Sequence, residues 1–173
     1  MTVPQDPAPF PTLSIRPLLS EGEAETCAAL MASSEPFLTL KRDYETSLQF
    51  LLDPRRERYV ALVGDRFAGF LVLNLQGAFV GYLQTICLAP KFRGQGLGAM
   101  LIAFAEERIF REHRNVFLCV SSFNPSAQRL YQRLGYSLVG ELTDYLIPGH
   151  SELLMRKTRG PILLPNPERG NSP

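Results

Sequence analysis

The chain has 173 residues, a formal net charge of +1, 45% apolar residues and 20% charged residues, which suits one domain with a real core and would cramp two. That balance offers no electrostatic case for nucleic acid or an anionic membrane as the main partner. Three widely separated cysteines and two histidines argue against a disulfide framework or a zinc site and fit a reducing compartment.

The N-terminal stretch MTVPQDPAPFPT has no basic start followed by an apolar core, so it does not read as a signal peptide. No apolar run approaches the roughly 20 residues that span a bilayer, and a cytoplasmic protein is expected. Residues 1–12 hold four prolines and little to bury, which predicts a flexible arm. A domain is expected at 13–157, followed by a proline- and glycine-rich tail at 158–173. Within that tail Ile162-Leu163-Leu164 is apolar enough to pack on a neighbour, and a homodimer is compatible with it.

Leu13–Leu18 reads as a short strand. Ala24, Ala28, Leu30 and Met31 recur at helical spacing over Glu21–Ser33. A second helix is predicted over Arg42–Leu52, closed by Asp53-Pro54 because the residue before proline avoids the helical region. Arg58–Val63 and Arg66–Leu75 flank Gly64-Asp65 as a hairpin, and Val80–Leu88 is the next strand. Gly96–Arg111 reads as a helix with Leu97, Met100, Leu101, Phe104 and Ala105 on one face. With the strand Val116–Ser121 it forms a crossover unit, so 80–88 and 116–121 should run parallel. Asn124-Pro125 supplies an N-cap and a first-turn proline for a helix that Gly135 ends. Tyr136–Val139 and Glu152–Lys157 close the sheet.

Residues 93–99, RGQGLGA, join a strand to a helix. Unpaired N–H groups at a helix start carry partial positive charge and bind phosphate, and glycine keeps side chains from blocking the approach. The same loop also serves a tight strand-to-helix turn with no ligand. The spacing is GxGxG, which fits neither the GxGxxG dinucleotide fingerprint nor the GxxxxGK[ST] mononucleotide loop.

Arg93-Gly94-Gln95-Gly96-Leu97-Gly98 matches the R/Q-x-x-G-x-G/A signature of the GNAT superfamily of acyl-CoA-dependent N-acetyltransferases. Asn124-Pro125-Ser126-Ala127 and Leu130-Tyr131-Gln132-Arg133-Leu134-Gly135-Tyr136 resemble that family's second signature, and the order of elements agrees from about Leu13 to Lys157. The resemblance implies an α/β fold: a mixed, mostly antiparallel twisted sheet of about seven strands, with a central parallel pair splayed at the acyl-CoA site and about four flanking helices. It also implies roles. The backbone of Ile86, Cys87 and Leu88 would run beside the pantetheine arm of acetyl-CoA. The amides of Arg93, Gly94, Gln95, Gly96, Leu97, Gly98 and Ala99 would hold the pyrophosphate. Asn124 would touch the coenzyme near its pantetheine or thiol end, and Tyr131 would protonate the leaving thiolate.

The implied reaction is acetyl transfer to a primary amine by direct attack in a ternary complex, with acetyl-CoA as co-substrate and no metal. The acceptor stays open between a small molecule and a peptide N-terminus; the general cast is similar to the ribosomal-protein N-terminal acetyltransferase branch. Gln84 and Tyr145 are expected to border the acceptor, with the 144–150 loop and a helical segment at 33–45. Some relatives carry a glutamate on the central strand where this chain has Gln84, which is no base. Glu141, Asp144, His150 and Glu152 read as solvated loop groups, and Cys87 and Cys119 as small buried hydrophobes. Two other readings remain: transfer of a larger acyl group, and a CoA-binding regulatory or interaction module without turnover, suggested by the missing base.

Overall fold

The computed structural model describes residues 12–163, so most of the expected N-terminal arm and the tail from residue 164 lie outside the described residues. The elements run β1 (Leu13–Pro17), α1 (Glu21–Ala32), α2 (Tyr44–Leu52), β2 (Glu57–Val63), β3 (Arg66–Asn74), β4 (Tyr82–Leu88), a short 3-10 turn (Pro90–Phe92), α3 (Leu97–Phe110), β5 (Asn115–Ser121), α4 (Pro125–Arg133), β6 (Ser137–Leu142) and β7 (Glu152–Thr158). The seven strands form one sheet in the order β1-β2-β3-β4-β5-β7-β6. It is antiparallel except for β4 and β5. No helix among the described residues is long and apolar enough to cross a membrane.

Local chemistry sets the helix starts. Ser20 caps α1 by accepting from the Glu23 N–H at 3.2 Å. The Glu23 carboxylate takes the Leu19 N–H at 2.8 Å and an Arg16 guanidinium at 2.6 Å, fixing the angle at which β1 enters α1. Asp43 caps α2 through Thr46 N–H at 2.8 Å, so Arg42 lies just outside the helix. Asn124 caps α4, with Pro125 in its first turn. In the expected helical segment at 33–45, residues 33–41 are instead a series of turns and only Tyr44 and Glu45 are helical, as the start of α2; the turns are held by i-to-i+4 bonds such as Leu38 N–H to Ser34 O at 3.1 Å. The 3-10 turn after β4 and the length of β6 had no periodic signal to announce them.

Helices cover both faces. α1 and α2 bury Ala24, Cys27, Ala28, Met31 and Leu51 against Val60, Phe70, Val72 and Cys87. α3 and α4 bury Leu101, Ile102, Ala105, Ile109 and Tyr131 against Leu71, Leu73, Leu83, Val116 and Leu118. Strand β4 serves both cores. Its partners shift from Val72↔Thr85 to Leu73↔Leu83, which leaves Gln84 as an extra residue in a β-bulge. The bulge reverses the alternation of faces: Leu83, Ile86 and Leu88 contact the α3 core, while Cys87 joins the α1–α2 core.

The parallel pair expected between β4 and β5 is present, but in one register position only, Tyr82↔Phe117. Beside it the Phe117 N–H donates to Gly81 O at 3.0 Å. Beyond this point the strands separate. The approach is tight because residue 81 has no side chain: a Cβ there would lie 2.4 Å from Asn115 O and 2.7 Å from Ile109 Cγ2, at a φ of +82°. Gly81→Ala therefore collides with backbone and strains φ together. It is expected to lower unfolding free energy by about 2–4 kcal/mol, measured by denaturant titration.

Candidate active site

The separation of β4 from β5 opens a cleft of about 1180 Å³, above the roughly 300–1,000 Å³ typical of small-molecule sites. Its walls are β4 from Tyr82 to Leu88, the end of β5 at Cys119, Val120 and Ser121, the glycine loop, and the inner side of α4. Past Tyr82 the edge of β4 that faces β5 has no ladder partner among the described residues, so its backbone N–H and C=O groups are open to an extended ligand.

The glycine loop adjoins that edge. Gly94 and Gly96 stand at φ +73° and +80°, a region that suits glycine. Among the described residues, nothing in the protein accepts from the N–H of Gly94, Gln95, Gly96, Leu97 or Gly98; the first helical bonds of α3 come from Ala99 and Met100 to Gly96 O, at 3.1 and 3.3 Å. Five consecutive unspent amides at the positive end of a 14-residue helix suit a pyrophosphate. Arg93, Gly94, Gly96, Gly98 and Ala99 line the cleft, whereas Gln95 and Leu97 do not. The Gln95 side chain folds back to Lys91 O at 2.8 Å. The Arg93 guanidinium is a clamp, donating to Leu88 O at 2.9 Å and to Ser34 Oγ at 3.2 Å.

Helix α4 forms the facing wall. Asn124 lines the cleft and uses its Oδ1 to cap Ala127 N–H at 3.2 Å, so its Nδ2 hydrogens are the part left for a ligand. Tyr131 is a core residue that also lines the cleft, 6% exposed. Its ring meets Tyr136 edge-on at 5.7 Å, and burial pushes its phenol up to about 12. It is therefore neutral, a proton donor, at ordinary pH.

Of the two residues expected at the acceptor, Gln84 lines the cleft at the bulge, its Oε1 accepting from Arg56 Nε at 3.1 Å. Tyr145 sits at the rim, exposed, in the loop between β6 and β7. Glu152 corrects the sequence reading. It is no solvated loop group but is 5% exposed, on the cleft wall at the first position of β7. It pairs in register with Ser121 of β5, whose hydroxyl donates to Glu152 Oε1 at 2.6 Å. Burial raises its pKa, and the Ser121 bond offsets part of that rise. The second carboxylate oxygen has no partner among the described residues. The signal was available: Glu152 shares strand parity with buried Leu154. Burial also raises the thiols of Cys87, to about 11, and Cys119, which keeps both protonated and poor as nucleophiles.

The model of the Acetyltransferase (GNAT) family matches residues 24–136. This chain belongs to the GNAT acetyltransferase family. The aminoalkylphosphonate N-acetyltransferase of Salmonella typhimurium is 30% identical over 92 residues, 50% of this chain and 60% of that protein. Matches to curated relatives span between 43% and 67% of those proteins. Among solved structures, a GNAT-family protein from Desulfovibrio desulfuricans superimposes with a TM-score of 0.71 at 19% identity, covering 85% of this chain and 99% of that one. The spermidine N-acetyltransferase of Vibrio cholerae, in complex with CoA and spermine, gives 0.66 at 21% identity, covering 85% and 95%. At these identities the structures share the fold.

Within this GNAT domain the three loop glycines are not equivalent. A Cβ on Gly98 would sit 3.6 Å from Leu130 Cδ2 and 3.8 Å from Leu88 Cδ1, in ordinary contact. Gly96→Ala should cost about 1–2 kcal/mol from its left-handed backbone, and Gly98→Ala should stay near wild type. In acetyl-CoA titrations Gly96→Glu, which sets a carboxylate beside the amide row, should lose coenzyme binding. Unchanged affinity in that variant would remove the phosphate role of the loop.

Proposed function

We propose that this GNAT enzyme transfers the acetyl group of acetyl-CoA to a primary amine by direct attack. The observation that carries the proposal is the open edge of β4 lying beside the row of unspent amides at 94–98. Together they suit a ligand with an extended, amide-bearing arm and a pyrophosphate, which is the chemistry of the coenzyme. In this reading the backbone of Ile86, Cys87 and Leu88 pairs with the pantetheine arm, residues 93–99 hold the pyrophosphate, and the Asn124 amide reaches the region of the thiol. The relatives above, an aminoalkylphosphonate N-acetyltransferase and a spermidine N-acetyltransferase, support an amine acceptor.

The carbon–nitrogen bond forms as the carbon–sulfur bond breaks. Open N–H groups of β4 meet the negative charge that develops on the carbonyl oxygen. Glu152 takes the proton released by the attacking amine, its carboxylate held by Ser121. Tyr131 gives its proton to the departing thiolate and recovers one from solvent. The buried surroundings that raise the phenol also raise the thiol, so the transfer between them is closer to balanced than solution values imply. No cysteine intermediate is needed. A coenzyme-binding module without turnover has no use for a buried carboxylate in the cleft, and Glu152 therefore favours the enzyme. The free cysteines suit a reducing compartment, and the proposal includes a cytoplasmic location.

Two measurements test the roles. Tyr131→Phe keeps the ring and its packing; kcat should fall about 100-fold or more while acetyl-CoA affinity changes little. A wild-type rate in this variant would eliminate the acid. A base must be ionised, and the Glu152 pKa lies above the ordinary carboxylate value. The kcat/KM profile should then fall on the acid side, as pH drops through that raised value. Glu152→Gln should lower kcat/KM by about 100-fold and abolish this limb; a limb that survives intact would transfer the base role elsewhere.

A further inference from the structure

The wall of the cleft formed by the turns before α2 carries a positive charge that the transfer chemistry does not use. Arg42 lines the cleft and is half-buried. Its guanidinium carbon lies 5.1 Å from the centre of the Phe50 ring, and that of Arg56 lies 4.5 Å from the same ring. One aromatic ring thus serves two cations. Arg56 is neutralised by the Asp53 carboxylate and donates to Gln84 Oε1. Arg42 takes part in no ion pair among the described residues. Burial, and then the charge of Arg56, lower its pKa, as expected of a cation short of a counter-charge. Glu35, the carboxylate on the same wall, is exposed and accepts from Thr39 N–H at 3.3 Å.

The neighbouring amide has matching polarity. Because Arg56 occupies Gln84 Oε1, the part of Gln84 left for the cleft is its NH2 group, a donor. Arg42 is a donor only. Among the described residues both groups lack an acceptor, and they are linked through Phe50 and Arg56 into one corner beside the β4 bulge. A cationic polyamine arm would meet repulsion there; a planar or tetrahedral anion would meet a guanidinium fork and an amide.

We infer that Arg42 and the Gln84 amide form a subsite for an anionic oxygen group on the acceptor, so that the substrate is a primary amine that also carries a carboxylate or phosphonate. The inference rests on the transfer reading and deepens it. The amine end lies toward Glu152 and the thioester, and the anionic end lies toward the α1–α2 wall. Acceptor selectivity is then set by charge at the end remote from the chemistry, where binding contributes without touching the reacting atoms.

The test compares a graded series of ω-amino acids and aminoalkylphosphonates with the matching ω-amino amides and diamines, with saturating acetyl-CoA. Wild type should favour an anionic member over its amide by about tenfold or more in kcat/KM, the size of one charge-assisted contact. The carboxylate and phosphonate arms show which anion the corner prefers. Arg42→Gln should bring that ratio close to one, and Arg42→Glu should turn it toward the diamines. Wild-type preference for diamines, or a ratio unmoved by Arg42→Gln, overturns the subsite while leaving acetyl transfer intact. If no amine is acetylated, the transfer reading fails, and the subsite is read by calorimetric titration of the same ω-amino acids in the presence of CoA. Saturable binding that weakens about tenfold in Arg42→Gln supports it; no binding by wild type overturns it.

Discussion

One contact between two parallel strands organises this molecule. Among the described residues β4 and β5 pair in register at Tyr82↔Phe117 and at no position further along. A sheet that stayed paired would satisfy the backbone of β4 internally and leave no cleft. Because the pairing stops, a strand edge in the middle of the sheet, flanked by helices on both faces, is left with open hydrogen-bonding groups. An edge of this kind is ordinarily a liability. Here it lies at the bottom of a cleft, beside a helix start whose amides are equally unspent. Both features ask for the same extended, phosphate-bearing ligand. The side chains that would handle protons, Tyr131 and Glu152, come from the other wall, on α4 and β7.

The architecture was largely readable because its signals are local. The cap at Asn124, the turn at Gly64-Asp65 and the helical spacing through α1 and α3 each place an element within a residue or two. The two separated glycine and tyrosine signatures also pointed to the family to which the chain belongs. What could not be read depends on pairing across the sheet. The bulge at Gln84 is defined by β3. The hydroxyl that donates to Glu152 comes from Ser121, 31 positions away in sequence, and the arginine corner arises where a turn, a helix and the bulge converge on Phe50. The expected helix at 33–45 failed over residues 33–41 for a different reason: the i-to-i+4 bonds around Pro36 occur singly and do not propagate into a helix.

Arg93 shows how a signature residue can serve two purposes. Its position at the loop entrance invites a phosphate role for the side chain, yet the guanidinium is spent on Leu88 O and Ser34 Oγ. It fastens the end of β4 to the turn after α1. The cation belongs to the frame, and the ligand is left to the backbone.

The bulge in β4 separates two kinds of information in one strand. Without Gln84 the segment would read Leu-Thr-Ile-Cys-Leu, a regular alternation in which Leu83, Ile86 and Leu88 share one side and Thr85 and Cys87 the other. Those are the sides these residues occupy now, with Leu83, Ile86 and Leu88 toward α3 and Cys87 toward α1 and α2. Gln84 is thus an interpolated letter that leaves the sense of the core unchanged. The strand stores its folding instructions in the residues that alternate and, in the proposed subsite, its vocabulary for the acceptor in the one that does not. A lineage can rewrite the second without editing the first.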